Sequence, residues 1–210
     1  DLTITCITNK KFRIITGSSV REHDKKHILK YLDKNIDFKD ITEDYSCFGI
    51  FGPNSRDLLT KLIENEFTNE QFPFGTGKYL KIEDVSIWFQ RLSYVGELGW
   101  ELYIPISDAK KIYEIINAVG KEFNLVHAGA HALDIMRMEK GYLHWGHDIS
   151  PGENPYEAGL SFAIKSNEDY DFIGKNSLIN SKNNLTKKFA MFVLDQSIPG
   201  KPLLLHDEPI

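Results

Sequence analysis

The sequence predicts an α+β fold built mostly on antiparallel sheet. Short runs alternate apolar and polar residues at period two, and several of them are joined by tight turns. Stretches with helical spacing fall between them, without the regular strand-helix-strand rhythm of a doubly wound parallel sheet.

Leu2 to Ile7 and Lys11 to Thr16 alternate around Thr8-Asn-Lys10, which reads as a hairpin. Gly17-Ser-Ser19 offers a helix cap, and Val20, Ile28, Leu29 and Leu32 suggest an amphipathic helix after it. A third strand covers Tyr45 to Phe51 and is closed by Gly52-Pro-Asn-Ser55, after which Arg56 to Leu62 has helical spacing. Lys78 to Ile82 and Val85 to Leu92 pair around Glu83-Asp84, and Trp100 to Ile104 continues the sheet. Ser107 to Val119 reads as a helix capped by Ser107 or Asp108, and His131 to Glu139 as a helix ended by Gly141. Past Asp169 a polar Lys/Asn/Ser stretch, Lys175 to Lys188, leads into a β run, Phe189 to Leu194. The expected division is residues 1–168 as one domain and 169–210 as a linker with the start of a β-barrel module.

With 210 residues, 41% of them hydrophobic, the chain can bury a sizeable core. Its net charge of −5 is spread without a basic block, which argues against a nucleic-acid partner. Cys6 and Cys47 sit apart in strand-like runs, so neither a disulfide framework nor a zinc knuckle is expected, and a reducing compartment is the simpler reading. There is no apolar run on the order of 18 residues and no leader-like opening, so no membrane partner is expected. Asp1 lies directly inside a β-like alternation with no initiator Met, and Glu208-Pro-Ile210 stops where a turn should feed another strand. A fragment of a longer polypeptide is expected.

Two stretches carry the candidate chemistry: Tyr94-Val-Gly-Glu-Leu-Gly-Trp-Glu101 and Gly141-Tyr-Leu-His-Trp-Gly-His-Asp148. Gly96 and Gly99 allow tight turns or close approach of a ligand, and Tyr94 can stack on a ring. Glu101 heads an otherwise apolar strand, reads as a carboxylate entering the core side of a sheet, and wants a donor. A pterin or purine edge supplies adjacent N–H groups that match two carboxylate oxygens; the other reading is an edge acid paired to a nearby Lys or Arg. His127, His131, His144 and His147 with Asp148 suit a metal by residue type. Their spacing breaks across Ala128-Gly-Ala130 and Gly141, so capping and hydrogen-bonding roles are expected and no metal is assigned. Arg137 and Glu139 read as the polar or capping side of their helix, with Arg137 also able to meet an anion. No phosphate loop, nucleophile elbow or HExxH helix occurs.

In order along the chain, Asp1-Leu-Thr-Ile-Thr5, Phe48-Gly-Ile-Phe-Gly-Pro-Asn-Ser-Arg56, Phe72-Pro-Phe-Gly75, Tyr94 to Glu101, Ala132 to Tyr142 and His144-Trp-Gly-His-Asp148 resemble the motifs of the folate-binding aminomethyltransferase family. The chain is similar to the glycine-cleavage T protein and, more closely, to the C-terminal half of dimethylglycine and sarcosine dehydrogenases. The resemblance implies a T-protein-like fold and an enzyme whose cofactor is tetrahydrofolate, forming methylene-tetrahydrofolate from an N-methyl-derived iminium. FAD would belong only to a domain preceding this region. The partner would be a small methylamine of dimethylglycine or sarcosine type. A lipoyl carrier would enter only if the chain were instead a glycine-cleavage aminomethyltransferase. The resemblance is also compatible with a folate-dependent demethylase or a non-catalytic folate-binding regulator. Cytoplasm, or the mitochondrial matrix in a eukaryote, would be the location.

Residue by residue, the resemblance assigns Asp1 as the catalytic aspartate near the folate nitrogens, holding a proton acceptor close to the attacking amine and stabilising the iminium cation. It assigns Thr3 and Thr5 to the folate channel, Phe74 to cofactor binding, Tyr94 to packing on the pterin, Glu101 to its amino edge and Tyr142 to a further aromatic wall. Leu133 stands before Asp134 where T proteins carry an arginine, which removes an expected contact to the folate tail. The His-Trp-Gly-His-Asp sequence also favours the dehydrogenase branch.

Overall fold

The computed structural model describes residues 2–63, 67–165, 171–195, 198 and 200. The chain divides into two compact units, Asp1–Leu143 and His144–Ile210.

The first unit begins with the hairpin β1 (Leu2–Thr8) and β2 (Lys11–Thr16), followed by helix α1 (Arg21–Tyr31). A four-stranded antiparallel sheet contains β3 (Tyr45–Phe51), β4 (Gly77–Ile82), β5 (Val85–Gln90) and β6 (Gly99–Pro105) in the order β3-β6-β5-β4. Helices α2 (Ser55–Ile63), α3 (Ala109–Gly120) and α4 (Ala130–Glu139) complete the unit.

Period two decides the two faces of the sheet. Ile87 and Phe89 of β5 and Trp100, Leu102 and Ile104 of β6 are buried with Leu58 and Leu59 of α2 and Ile112 and Ile116 of α3. Phe67 and Phe72 close one side of this core, each edge-on to Trp100 at centroid distances of 5.3 and 5.9 Å. Helix α1 differs from the expectation of an amphipathic helix. Ser18–Val20 form a 3₁₀ turn, the α-helix starts only at Arg21, and none of its residues is buried. Its charged sequence is anchored by side chains instead. The Thr16 hydroxyl donates to Asp24, and Arg21 bridges Asp40 at 2.9 Å and Glu43 at 2.7 Å. The Arg21 hydrogen bond, chiefly, holds the Asp40 carboxyl well below the usual carboxylate range.

Helix α3 starts at Ala109 with Asp108 at the cap position, but no side chain caps it. The Ser107 hydroxyl donates to the Asp108 carboxylate at 2.7 Å. Helix α4 ends as its glycine foretells: Tyr142 N–H donates to Arg137 C=O and Gly141 N–H to Met138 C=O, both at 2.9 Å, with Gly141 at φ 74°. This is the paired-bond ending that a left-handed residue permits. A Cβ at Gly141 meets nothing within 4 Å. Gly141→Ala is therefore expected to lower stability through backbone strain alone, by about 1–2 kcal/mol in urea unfolding.

The second unit contains α5 (Lys175–Lys182), where the polar composition suggested only a linker. Its apolar residues, Leu178 and Ile179, are adjacent and leave no helical periodicity to read. Phe189 to Leu194, expected as a β run, forms no strand among the described residues. Phe192 and Val193 are exposed, and Phe189 N–H donates to Glu157 C=O at 2.9 Å. An apolar run makes a strand only where a neighbour completes the ladder.

Candidate functional site

The sheet face opposite the helices is the chemically rich one. Register places Gly49, Glu101, Gln90 and Gly77 in one cross-strand row, and Cys47, Tyr103, Trp88 and Tyr79 in the next. Glu101 therefore does not enter the core side of the sheet, as its apolar strand suggested. Trp100 and Leu102 take that side, and period two turns Glu101 the other way, half-buried. Nor is it an edge acid held by Lys or Arg, because β6 is an inner strand and the Tyr103 hydroxyl donates to Glu101 Oε2 at 2.5 Å. Among the described residues, Glu101 Oε1 accepts no hydrogen bond.

The hairpin faces the same surface. Thr5 and Arg13 are cross-strand partners, and Thr3 shares their side of β1 by period two, half-buried where Thr5 is buried. The Arg13 guanidinium lies 5.0 Å from the Trp88 ring, 5.5 Å from Tyr103 and 5.7 Å from Tyr45, and donates to the Tyr79 hydroxyl at 3.1 Å. Such placement over aromatic faces is attractive where water is excluded.

Gln90, 1% exposed, is the hub of the face. Its Oε1 accepts from Trp88 Nε1 at 2.9 Å and Thr5 Oγ1 at 3.3 Å, and its Nε2 donates to the Gly75 carbonyl at 3.4 Å. One buried amide thus ties together the hairpin, the sheet and the turn that carries Phe74. A Cβ on Gly77 would lie 2.3 Å from the Trp88 ring and 2.6 Å from Gln90 Oε1, so only glycine lets both side chains lie flat over β4.

The electrostatics follow from this packing. Burial, then the neighbouring Cys47 and Glu101, push the Tyr103 hydroxyl far above the usual phenol range, which keeps it a donor to Glu101. Cys47 is solvent-accessible, yet burial around its sulfur, reinforced by the Glu101 charge, pushes its thiol up to about 11. In a Cys6→Ser background, iodoacetamide labelling of Cys47 is expected to reach its half-maximal rate near pH 11. A half-maximal rate near pH 9 would show an ordinary thiol.

The aromatic residues of the two motifs also meet. Tyr94, in the loop between β5 and β6, stacks on Tyr142 with centroids 6.3 Å apart and ring planes 14° from parallel, and its hydroxyl donates to the Leu143 carbonyl at 2.9 Å. Phe74, 69% exposed, lies in the turn leading into β4, available to a ligand rather than spent in the core. The Phe74 turn and the Tyr94 loop leave the end of the sheet that holds the Gly49-Glu101-Gln90-Gly77 row. Asp1 lies outside the described residues.

Arg137, 4% exposed, pairs with Asp134 at 2.7 Å and donates to the Tyr142 carbonyl at 3.0 Å, so it closes its own helix end. His127 precedes α4 and shares a hydrogen bond of 2.9 Å with the Tyr113 hydroxyl. In the second unit, the His144 and His147 rings lie 4.4 Å apart. Gln90, Trp88, Tyr103 and Arg13 are site residues that the sequence does not single out. A polar residue closing the apolar strand Val85–Gln90 is the visible signal for Gln90, but its place beside Glu101 depends on strand register.

The chain is 34% identical over 192 residues to human mitochondrial sarcosine dehydrogenase, covering 90% of this chain and 21% of that protein. It is 35% identical over 181 residues to human mitochondrial dimethylglycine dehydrogenase, covering 85% of this chain and 21% of that one. The chain thus spans about a fifth of the length of these relatives. Among solved structures, it matches the glycine cleavage system aminomethyltransferase T from Bartonella henselae with a TM-score of 0.72 at 22% identity, over 87% of this chain and 48% of that one, which shows the shared fold. The family described as GCVT N-terminal domain matches residues 1–168. The chain belongs to the GCVT N-terminal domain family.

Proposed function

We propose that this chain is a tetrahydrofolate-binding, one-carbon acceptor domain of a dimethylglycine- or sarcosine-dehydrogenase-type enzyme. The observation that carries the reading is Glu101, oriented by Tyr103 through one carboxylate oxygen and offering the other on a face lined by aromatic rings and glycines. A carboxylate so held suits the adjacent N–H donors of a pterin edge. Thr3, Thr5 and Phe74 line the same face or its rim, and the stacked Tyr94 and Tyr142 supply an aromatic wall. When bound, tetrahydrofolate supplies the nitrogens that capture the one-carbon unit. Glu101 orients the ring, Gln90 keeps hairpin, sheet and Phe74 turn in register, and the rings restrict water. Asp1 is assigned the proton-accepting, cation-stabilising role near the reacting nitrogens.

Domain boundaries at 168/169, FAD chemistry elsewhere in the polypeptide, an N-methylated amino acid as substrate and a mitochondrial matrix location in a eukaryote belong to the same reading. The similarity to the two dehydrogenases, and Leu133 in place of an arginine before Asp134, favour it over a lipoyl-dependent aminomethyltransferase.

Titration of the chain with tetrahydrofolate, followed by tryptophan fluorescence, tests the binding step, since Trp88 lies on the proposed face. Saturable quenching is expected. A folded chain whose emission does not change saturably would overturn the reading.

A further inference from the structure

We propose that Arg56 and Arg91 form an oxyanion-binding site that takes a phosphate or carboxylate group between two guanidinium forks. Arg56 is the second residue of α2, and Arg91 directly follows β5. The Nη2 of each donates to the same Asn69 Oδ1, both at 2.8 Å, so two cations meet on one neutral acceptor. Arg91 is further fixed by Nη1 donating to the Phe72 carbonyl at 2.6 Å and by the Trp100 ring, 5.6 Å from its guanidinium. Arg56 Nε is buried with no acceptor among the described residues.

Among the described residues no carboxylate lies within ion-pair distance of either arginine, although acids outnumber bases in this chain. Glu70 is near enough to feel the Arg56 charge, but its own backbone amide and the Thr68 hydroxyl are the stronger influences on its carboxylate. Burial, and then the Arg56 charge, hold the Arg91 guanidinium below the usual arginine range. An unneutralised pair of half-buried guanidinium groups is the arrangement that a two-oxygen anion relieves, because each fork presents parallel N–H donors. The site is distinct from the polar face: Arg91 packs on Trp100, on the helix-facing side, whereas Gln90 and Glu101 face the hairpin.

Thermal unfolding at constant ionic strength, with inorganic phosphate replacing chloride and a parallel series in acetate, tests the inference without any folate. The wild-type midpoint is expected to rise saturably by about 2–4 °C in the preferred anion. Asn69→Asp, which supplies a carboxylate at the shared acceptor, should raise the midpoint without added anion and abolish the response. Arg56→Gln should abolish it too. A response to phosphate alone identifies a phosphoryl group, and an equal response to acetate a carboxylate. No saturable rise in the wild type, or the same rise in Asn69→Asp, would overturn the proposal and leave the folate reading intact.

Discussion

Trp100→Ala is expected to destabilise the first unit by about 3–5 kcal/mol, the range for truncating a large buried aromatic. Trp100, the second residue of β6, is fully buried, touches Phe67 and Phe72 edge-on, and carries the Arg91 guanidinium on its ring. Its indole Nε1 is buried with no acceptor among the described residues, which costs some stability that truncation returns. The cavity and the lost ring contacts outweigh that return, because a rigid β6, paired on both sides, cannot collapse into the space. Trp100→Phe keeps most of the apolar contact and removes the orphan donor, so a much smaller loss is expected. Urea unfolding of the two variants decides the matter: a loss below about 1 kcal/mol for Trp100→Ala would show that the aromatic cluster does not anchor the core.

The second large effect concerns the ligand. Glu101→Gln is expected to weaken tetrahydrofolate binding by about 1.5–3 kcal/mol, roughly ten- to a hundredfold in Kd, as a charged hydrogen-bond partner is lost. The change preserves shape, and Gln can still accept from Tyr103, so folding stability should barely move. Tyr103→Phe leaves the carboxylate in place but removes its orienting donor, and a smaller loss of affinity is expected. Calorimetric titration of the three proteins separates charge from orientation. Equal affinity in wild type and Glu101→Gln would remove Glu101 from the site.

The first unit is legible in the sequence to the extent that its signals are local. The Thr8-Asn-Lys10 and Glu83-Asp84 turns, the alternation in Tyr45 to Phe51 and the Gly141 stop each depend on neighbouring residues, and each stands close to where the spacing puts it. The site is less legible, because it is assembled by register. Glu101 is visible as an acid in an apolar strand, but its face is not, since a one-residue shift in register exchanges the two sides. Gln90 beside it, Tyr103 as its donor and Arg13 over three rings all result from long-range pairing and docking. Helix α5 lacks any apolar periodicity, and Phe189 to Leu194 is a continuous apolar run without a paired neighbour among the described residues.

A crystal structure of the chain with bound 5-formyltetrahydrofolate tests the folate site most directly. The pterin is expected on the hairpin-facing side of the sheet, with its amino edge within hydrogen-bond distance of the Glu101 carboxylate. A pterin bound elsewhere, with Glu101 still held only by Tyr103, would contradict this expectation.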